Sequence, residues 1–144
     1  MMELIKQRKL RVKKSTLPGA GKGLFTLEDI GRDEIVVEYQ GEEIDWQEYK
    51  ERVEKDQDGY LFFINWKKCI DAFHTPGALG RYANDARGFS RMKGCRNNAV
   101  YKVIRGRVYI VSTRRIRAGE EVFVDYSADY WKAMRHNRKI ASPA

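Results

Sequence analysis

The 144-residue sequence contains, at residues 118–126, the stretch AGEEVFVDY. Ala118-Gly119 is typical of a turn, and Val122–Tyr126 indicates a short strand. Tyr126 closes this strand, and a tyrosine in such a place is in most proteins an ordinary core or surface residue. The stretch therefore predicts a turn followed by a strand, and its meaning depends on what accompanies it elsewhere in the chain.

Short β-type runs separated by glycine turns fill most of the remaining sequence. Runs that are rich in β-branched and aromatic residues favour strands. They occur at Arg8–Lys13, Glu34–Tyr39, Tyr60–Asn65, Lys68–Asp71, Asn98–Ile104 and Arg107–Thr113. Arg105-Gly106 predicts a hairpin turn between the last two runs.

Two segments favour helices. Asp45–Lys55 begins with a residue type that caps helices and carries an apolar stripe opposite a charged face, the stripe being Trp46, Tyr49 and Val53. Ser127 is in position to cap a last short helix at residues 128–135. The fold class predicted is therefore mostly β with two or three short helices.

The composition predicts one compact, intracellular domain. Apolar residues make up 42% of the chain, which is enough for a core. No run approaches the roughly 18 consecutive apolar residues of a membrane span, and the N-terminus lacks the apolar stretch of a signal peptide. Cys69 and Cys95 are too few for a Cys-rich zinc site, so we expect two reduced thiols and no metal.

The net charge of +8 is distributed in blocks. Residues 1–15, 81–117 and 132–139 are basic, whereas the segment Glu28–Asp58 holds 13 of the 20 acidic residues. Such blocks usually form solvated faces. The functional alternative is that the basic faces bind nucleic acid while the acidic segment binds a basic peptide.

Four signatures follow one another in a fixed order. They are GKGLF at 21–25, EYQGE at 38–42, GRYAND at 80–85 followed by NNA at 97–99, and AGEEVFVDY at 118–126. Gly21-Lys22-Gly23 alone indicates only a turn, and it fits neither phosphate-binding pattern, GxxxxGK[ST] or GxGxxG. Together the signatures resemble the SET-domain protein lysine methyltransferases, whose patterns are GxG, EYxG, RxxNHSCxPN and GEELxxDY. The resemblance extends from about Val12 to Trp131.

The resemblance implies a fold and a division of the chain. A SET domain at residues 12–131 would lie between a basic N-terminal segment, 1–11, and a basic C-terminal tail, 132–144. It would consist of small curved sheets with a pseudoknot-like threading of the C-terminal segment. The chain is similar to compact members that lack flanking zinc-binding cysteines, so its C-terminal helix with Trp131 would close the pocket instead.

The resemblance also implies a reaction, the transfer of a methyl group from S-adenosylmethionine (AdoMet) to a lysine. Tyr126 would be the catalytic residue. The walls of the substrate-lysine channel would be Tyr39, Phe63 and Val124. The cofactor-binding residues would be Lys22, Gly23, Leu24, Tyr60, Asn84, Asp85 and Trp131. For the two aromatic channel residues, ordinary strand core is the alternative, and for Trp131 it is simple packing.

The sequence departs from the family at one place. The His-Ser-Cys that follows the asparagine in most members is here Asp85-Ala86-Arg87, and the usual Pro-Asn is Asn97-Asn98. An inserted loop, Gly88–Arg96, is rich in Arg, Lys and Gly. The details of the cofactor pocket and the catalytic competence of the domain both depend on these positions.

The prediction is an AdoMet-dependent lysine methyltransferase that acts on a basic protein, such as a histone tail. The alternative is an inactive SET-like module that binds nucleic acid or chromatin through its basic ends and through Arg87, Arg91, Lys93 and Arg96. No membrane partner is expected, and the sequence is compatible with a homodimer without demanding one. The site of action would be intracellular, and it would be nuclear or on chromatin if the protein comes from a eukaryote or from a virus with a eukaryotic host.

Overall fold

The computed structural model describes residues 8–55, 60–65, 67–87 and 93–126. Ten strands, one α-helix and one 3-10 helix are assigned in this part of the chain. In chain order they are β1 (Leu10–Lys14), β2 (Lys22–Thr26), β3 (Ile35–Glu38), β4 (Glu42–Ile44), α1 (Trp46–Glu54), β5 (Leu61–Asn65), β6 (Lys68–Asp71), the 3-10 helix (Leu79–Tyr82), β7 (Ala99–Ile104), β8 (Arg107–Ser112), β9 (Glu121–Val122) and β10 (Val124–Asp125).

The strands form three small sheets with the orders β1-β2-β9, β10-β7-β8-β3 and β4-β6-β5. The main hydrophobic core lies between the first two sheets and contains residues from both, among them Leu24, Ile110 and Val124. A second cluster around Tyr39, Ile70 and Val108 connects the third sheet to the rest. The apolar residues of each short strand therefore face a shared interior, and no sheet is large enough to stand alone.

The last described segment, Glu121–Tyr126, is inserted between distant parts of the chain. β9 pairs antiparallel with β2, and β10 pairs parallel with β7. Between them, Phe123 forms a parallel bridge with Asn84. This arrangement divides the strand that the sequence predicts at Val122–Tyr126 into two pieces, because Phe123 turns its hydrogen bonds from one neighbour to the next.

None of the residues of helix α1 is fully buried, and polar contacts hold it in place together with the packing of Trp46 and Tyr49 against Phe63. Asp45 caps the helix by accepting a hydrogen bond from the backbone N–H of Glu48 at 2.9 Å. Arg52 in the last turn donates to the fully buried Asp71 and lies within 3.0 Å of both Glu42 and Glu48. These contacts raise the pKa of Arg52, and its hydrogen bond lowers the pKa of Glu42. Because the guanidinium satisfies a carboxylate with no access to water, it fixes α1 on the third sheet.

The structure confirms the mostly β fold class and most of the predicted element positions. One α-helix and one 3-10 helix lie in the described residues, and the helix predicted at 128–135 lies outside them. None of the described helices is long and apolar enough to cross a membrane. Cys69 and Cys95 are both free thiols, and burial raises the pKa of Cys69.

Gly41 is required by the contact between β4 and the end of β6. A Cβ atom at this position would lie 2.5 Å from the backbone carbonyl oxygen of Asp71. We expect Gly41→Ala to lower the free energy of unfolding by about 1–3 kcal/mol, because backbone atoms cannot rotate out of the way. Urea unfolding measures the change.

Gly77→Ala is the matched control, because a Cβ atom at Gly77 meets no atom within 4 Å. We expect this variant to stay within about 1 kcal/mol of the original protein. Equal losses for the two variants would show that the close approach at Gly41 does not limit stability.

Candidate functional site

An aromatic cavity of about 70 Å³ opens where β3, β5, β7 and the C-terminal segment meet. Its wall is formed by Tyr39, Tyr60, Leu61, Phe62, Arg81, Tyr101 and Tyr126. The rings are packed against one another: Tyr39 lies edge-on to Tyr101 at 5.7 Å between centroids, and Tyr101 stacks on Tyr126 at 6.2 Å. The cavity is therefore narrow, and its shape is fixed by mutual ring contacts.

Backbone carbonyls orient the hydroxyls of two of the four tyrosines that line the cavity. Tyr39 donates its hydroxyl proton to the carbonyl of Tyr60 at 2.7 Å, and Tyr126 donates to the carbonyl of Ala83 at 2.5 Å. Each phenol thus has its proton directed away, which leaves its oxygen able to act as an acceptor toward another donor. The cavity can consequently offer hydrogen-bond acceptors to an N–H group.

Arg81 forms the cationic part of the wall. Its guanidinium lies 4.0 Å from the ring centre of Tyr60 and donates to the carbonyls of Ala72 and Phe73 at 3.0 and 3.1 Å. Its Nε is buried and has no hydrogen-bond acceptor among the described residues. Arg81 therefore fastens the loop after β6 to the aromatic wall.

A polar seam beside the cavity links β2 to the C-terminal segment. The side-chain amide of Asn84 donates to the carbonyl of Lys22 at 2.9 Å, while the backbone carbonyl of Asn84 accepts from Val124 at 2.8 Å. Asp85, the next residue, faces the other way and accepts from the backbone N–H of Tyr126 at 3.0 Å. Two consecutive residues thus connect the Gly21-Lys22-Gly23 turn with the end of β10.

The departure from the family pattern at Asp85 is accommodated by Asn97. The carboxylate of Asp85 is 4% exposed and accepts from the side-chain amide of Asn97 at 2.9 Å and from the backbone N–H of Arg87 at 2.8 Å. Asn97 in turn accepts from the backbone N–H of Ala86 at 2.8 Å. Two of the residues that differ from the family pattern, Asp85 and Asn97, therefore bond to each other.

The structure places two predicted channel residues outside the cavity. Phe63 is 39% exposed and packs against Trp46 and Tyr49 of α1, so Phe62 takes the place that the sequence analysis gave to Phe63. Phe62 instead packs against Tyr39 and Tyr101 in the cavity wall, with ring centroids 6.3 and 5.2 Å apart. Val124 is fully buried in the main core and does not line the cavity either.

The structure places the predicted cofactor residues in different surroundings. Lys22 and Asn84 meet in the polar seam, whereas Tyr60 belongs to the aromatic cavity. The Leu24 side chain is core, so only its backbone can face a ligand. Gly23 packs against Glu121, whose carboxylate would collide with an added Cβ atom.

Some predicted residues lie beyond the described part, and others were missed. Trp131, Arg91 and the tail 132–144 are outside the described residues. Arg87 lies 3.8 Å from Asp125, and no group of His, Cys, Asp or Glu in the described residues is arranged to hold a metal. Sequence reasoning missed the cavity roles of Leu61, Phe62, Arg81 and Tyr101. Arg81 could have been found, because it is the first residue of the RxxN pattern. Tyr101 belongs to none of the four signatures, so the sequence offered no reason to single it out.

Relatives with related sequences are lysine methyltransferases by name. N-lysine methyltransferase KMT5A-A of Xenopus laevis is 34% identical over 124 residues, which cover 80% of this chain and 36% of that protein. Histone-lysine N-methyltransferase mes-2 of Caenorhabditis elegans is 33% identical over 111 residues, 75% of this chain and 14% of that protein. The chain thus spans about a third or less of the length of these relatives.

Solved structures of related fold come from Polycomb Repressive Complex 2 of Chaetomium thermophilum. A chain of the complex with H3K27me3 and H3K27M matches with a TM-score of 0.69 and 28% identity, over 86% of this chain and 15% of that one. A humanized mutant bound to the inhibitor GSK126 matches with a TM-score of 0.67 and 30% identity, over 85% of this chain and 15% of that one.

The family model that matches the sequence is that of the SET domain, and it covers residues 21–127. This range contains the aromatic cavity, the polar seam and all four signatures. The chain belongs to the SET-domain family.

Proposed function

We propose that this protein is an AdoMet-dependent protein-lysine N-methyltransferase. The observation that carries the proposal is the narrow aromatic cavity with the Tyr126 hydroxyl in its wall. Its width suits an unbranched alkyl amine, and its tyrosine oxygens suit an amine N–H. Family membership and the names of the relatives point to the same chemistry.

The cavity addresses the main obstacle to methylating a lysine. The ammonium has a reference pKa near 10.4, so presenting the neutral amine at pH 7 costs roughly 4–5 kcal/mol. Aromatic walls replace water around the nitrogen and disfavour its charged form. The positively charged Arg81 in the same wall acts in the same direction. The cavity thereby favours the form of the substrate that can act as a nucleophile.

Tyr126 would be the catalytic residue through its hydroxyl oxygen. Because its proton is directed to the carbonyl of Ala83, the oxygen can accept a hydrogen bond from the substrate amine. Such a bond turns the nitrogen lone pair in a defined direction, which is the orientation part of catalysis. Tyr39, held by the Tyr60 carbonyl, would confine the alkyl chain from the opposite side.

The polar seam fits the amino-acid end of AdoMet, which supplies an electrophilic methyl group on its sulfonium. Asn84 is held by Lys22, and its side-chain oxygen has no donor among the described residues, so it can accept from an ammonium group. Lys22, Gly23 and Leu24 begin β2 directly after the glycine turn, and their backbone is proposed to contact the same end of the cofactor. Tyr60, in the cavity wall, is also proposed to contact the cofactor, and Trp131 is proposed to cover the adenine.

A basic protein segment, such as a histone tail, is the proposed substrate. Glu51 and Glu54 on α1 have no cationic partner within 4 Å among the described residues, so they remain available to a basic peptide. Arg52 pairs with Glu42 and Glu48 and so neutralises part of the acidic segment. The electrostatic attraction of this segment for a basic peptide is therefore weaker than the sequence alone suggests. The named histone methyltransferases among the relatives support this substrate class and an action on chromatin.

Tyr126→Phe tests the catalytic assignment. We expect kcat for methyl transfer to free core histones to fall by about 100-fold, because the amine loses its oriented acceptor. AdoMet affinity measured by calorimetry should change by less than about threefold, since this phenol is not part of the polar seam.

Tyr82→Phe is the matched control, because Tyr82 donates to the carbonyl of Pro76 outside the cavity. Its kcat should stay within about twofold of the unaltered protein. Full activity of Tyr126→Phe would remove Tyr126 from the mechanism. Absence of both methyl transfer and AdoMet binding in the unaltered protein would refute the enzyme and favour the nucleic-acid-binding alternative, which steep salt dependence of binding would identify.

Phe62→Ala and Phe63→Ala form a pair that tests the cavity itself. Phe62 lines the cavity and Phe63 packs on α1. We expect Phe62→Ala to lower kcat at least tenfold, because a wider cavity no longer aligns the amine. Phe63→Ala should change kcat by less than about threefold. The opposite order would place the lysine channel on the α1 side of β5.

Asn84→Ala tests the cofactor site. Without the amide, the ammonium group of AdoMet loses its proposed acceptor, and the carbonyl of Lys22 loses its hydrogen bond from Asn84. AdoMet affinity should therefore weaken by about tenfold or more. Calorimetry with AdoMet measures the change. Asn65→Ala, which removes an acceptor in the β5–β6 turn, should leave the affinity within about twofold. Unchanged binding by Asn84→Ala would move the cofactor away from the seam.

A further inference from the structure

Asp85 stands where most family members carry a histidine, and its carboxylate is fully used inside the protein. Its Oδ1 accepts from Asn97 and from the backbone N–H of Arg87, and its Oδ2 accepts from the backbone N–H of Tyr126. An ionised carboxylate is acceptor-only and can satisfy three N–H donors at once. These donors therefore match a carboxylate and explain its burial without a direct cofactor contact.

The hydrogen bond from the Tyr126 N–H to Asp85 lies directly after the end of the strand pairing. β10 ends at Asp125, and its pairing with β7 extends only over Val124 and Asp125. Tyr126 follows immediately and carries the phenol that enters the cavity wall. A hydrogen bond from its N–H to a buried, charged acceptor restrains the backbone at the base of this side chain.

We propose that Asp85 is a positioning residue for Tyr126, with Asn97 as its obligate partner, an inference that rests on the proposed role of Tyr126. Asn97 donates one amide proton to Asp85 and uses its oxygen to hold the N–H of Ala86. The pair thereby fixes the turn at residues 85–87 and aims the Asp85 carboxylate at Tyr126. In this chain a carboxylate–amide pair replaces the histidine.

Exchange of the two side chains is the most direct test. In Asp85→Asn, the new amide must turn its NH₂ group either toward the NH₂ group of Asn97 or toward the N–H of Tyr126. Both of these groups are donors, so one hydrogen bond is lost in either orientation. In Asn97→Asp, two carboxylates face each other. In the double variant, the amide placed at position 85 can accept from Tyr126 and donate to the carboxylate placed at position 97, which can still accept from Ala86, while the backbone N–H of the exposed Arg87 alone loses its acceptor. We expect kcat for histone methylation to fall about tenfold or more in each single variant and to recover to within about threefold in the double variant.

A double-mutant cycle separates positioning from a general loss of structure. If Asp85 acts through the Tyr126 phenol, Asp85→Asn should lower kcat by less than about twofold in a Tyr126→Phe background. An equal loss in both backgrounds would overturn the proposal. Asp29→Asn is the matched control, because Asp29 also accepts from a backbone N–H and an arginine but lies on the surface. It should leave kcat within about twofold.

Amide hydrogen exchange of Tyr126, followed by NMR in the full chain, gives a readout that does not need activity. We expect exchange to be slow in the unaltered protein and in the double variant, and about tenfold faster in Asp85→Asn. Unchanged exchange in Asp85→Asn would overturn the proposal whether or not the protein methylates. Absence of methyl transfer with the expected exchange pattern would refute the proposed function and leave the Asp85–Tyr126 tie intact.

Discussion

The backbone hydrogen bonds of Phe123 and Val124 are the constraint on which the rest of the structure depends. The carbonyl of Phe123 accepts from Asn98 and Ala99, and the N–H of Val124 donates to Asn84. The side chain of Asn98 adds a bond to the N–H of Phe123 at 2.9 Å. The segments at Asn84 and at Asn98-Ala99 are thereby both held on the C-terminal segment, which contributes to the polar seam and to the aromatic cavity.

A second constraint is the buried carboxylate of Glu121, at the start of the same segment. It is 5% exposed and accepts from the hydroxyl of Ser15 at 2.7 Å and from the N–H and hydroxyl of Thr16 at 2.8 and 2.7 Å. A buried charge is tolerated only with such partners. This explains why Gly23 must lack a side chain, a requirement that would otherwise be attributed to a close approach of ligand.

The elements that depend on local signals were predictable from the sequence. The cap at Asp45 and the hairpin turn at Arg105-Gly106 are encoded in neighbouring residues, and both occur where the sequence indicates. The four signatures were sufficient for the family. What the sequence could not provide was the phase of β5: Phe62 and Phe63 are chemically identical, and only the placement of β5 in the fold determines which one faces the cavity.

Residues that meet only through the fold were beyond prediction. Tyr101 lies in an ordinary alternating strand, and its place beside Tyr126 follows from the parallel pairing of β10 with β7. Likewise, the hydrogen bond between Asp85 and Asn97 crosses an inserted loop and cannot be read from either residue. The division of the predicted strand at Phe123 also depends on the fold, because Val122 pairs with β2 whereas Val124 pairs with β7.

The Asp85–Asn97 pair has a consequence for how such a chain can evolve. Exchanging either residue alone between carboxylate and amide leaves like groups facing each other at the buried Asp85 position, so such single steps away from the pair are selected against. The two positions should therefore vary as a unit across related sequences. Returning this domain to the histidine of its relatives would require compensating changes in the same lineage. The effect of a substitution at one position of the pair thus depends on the residue at the other.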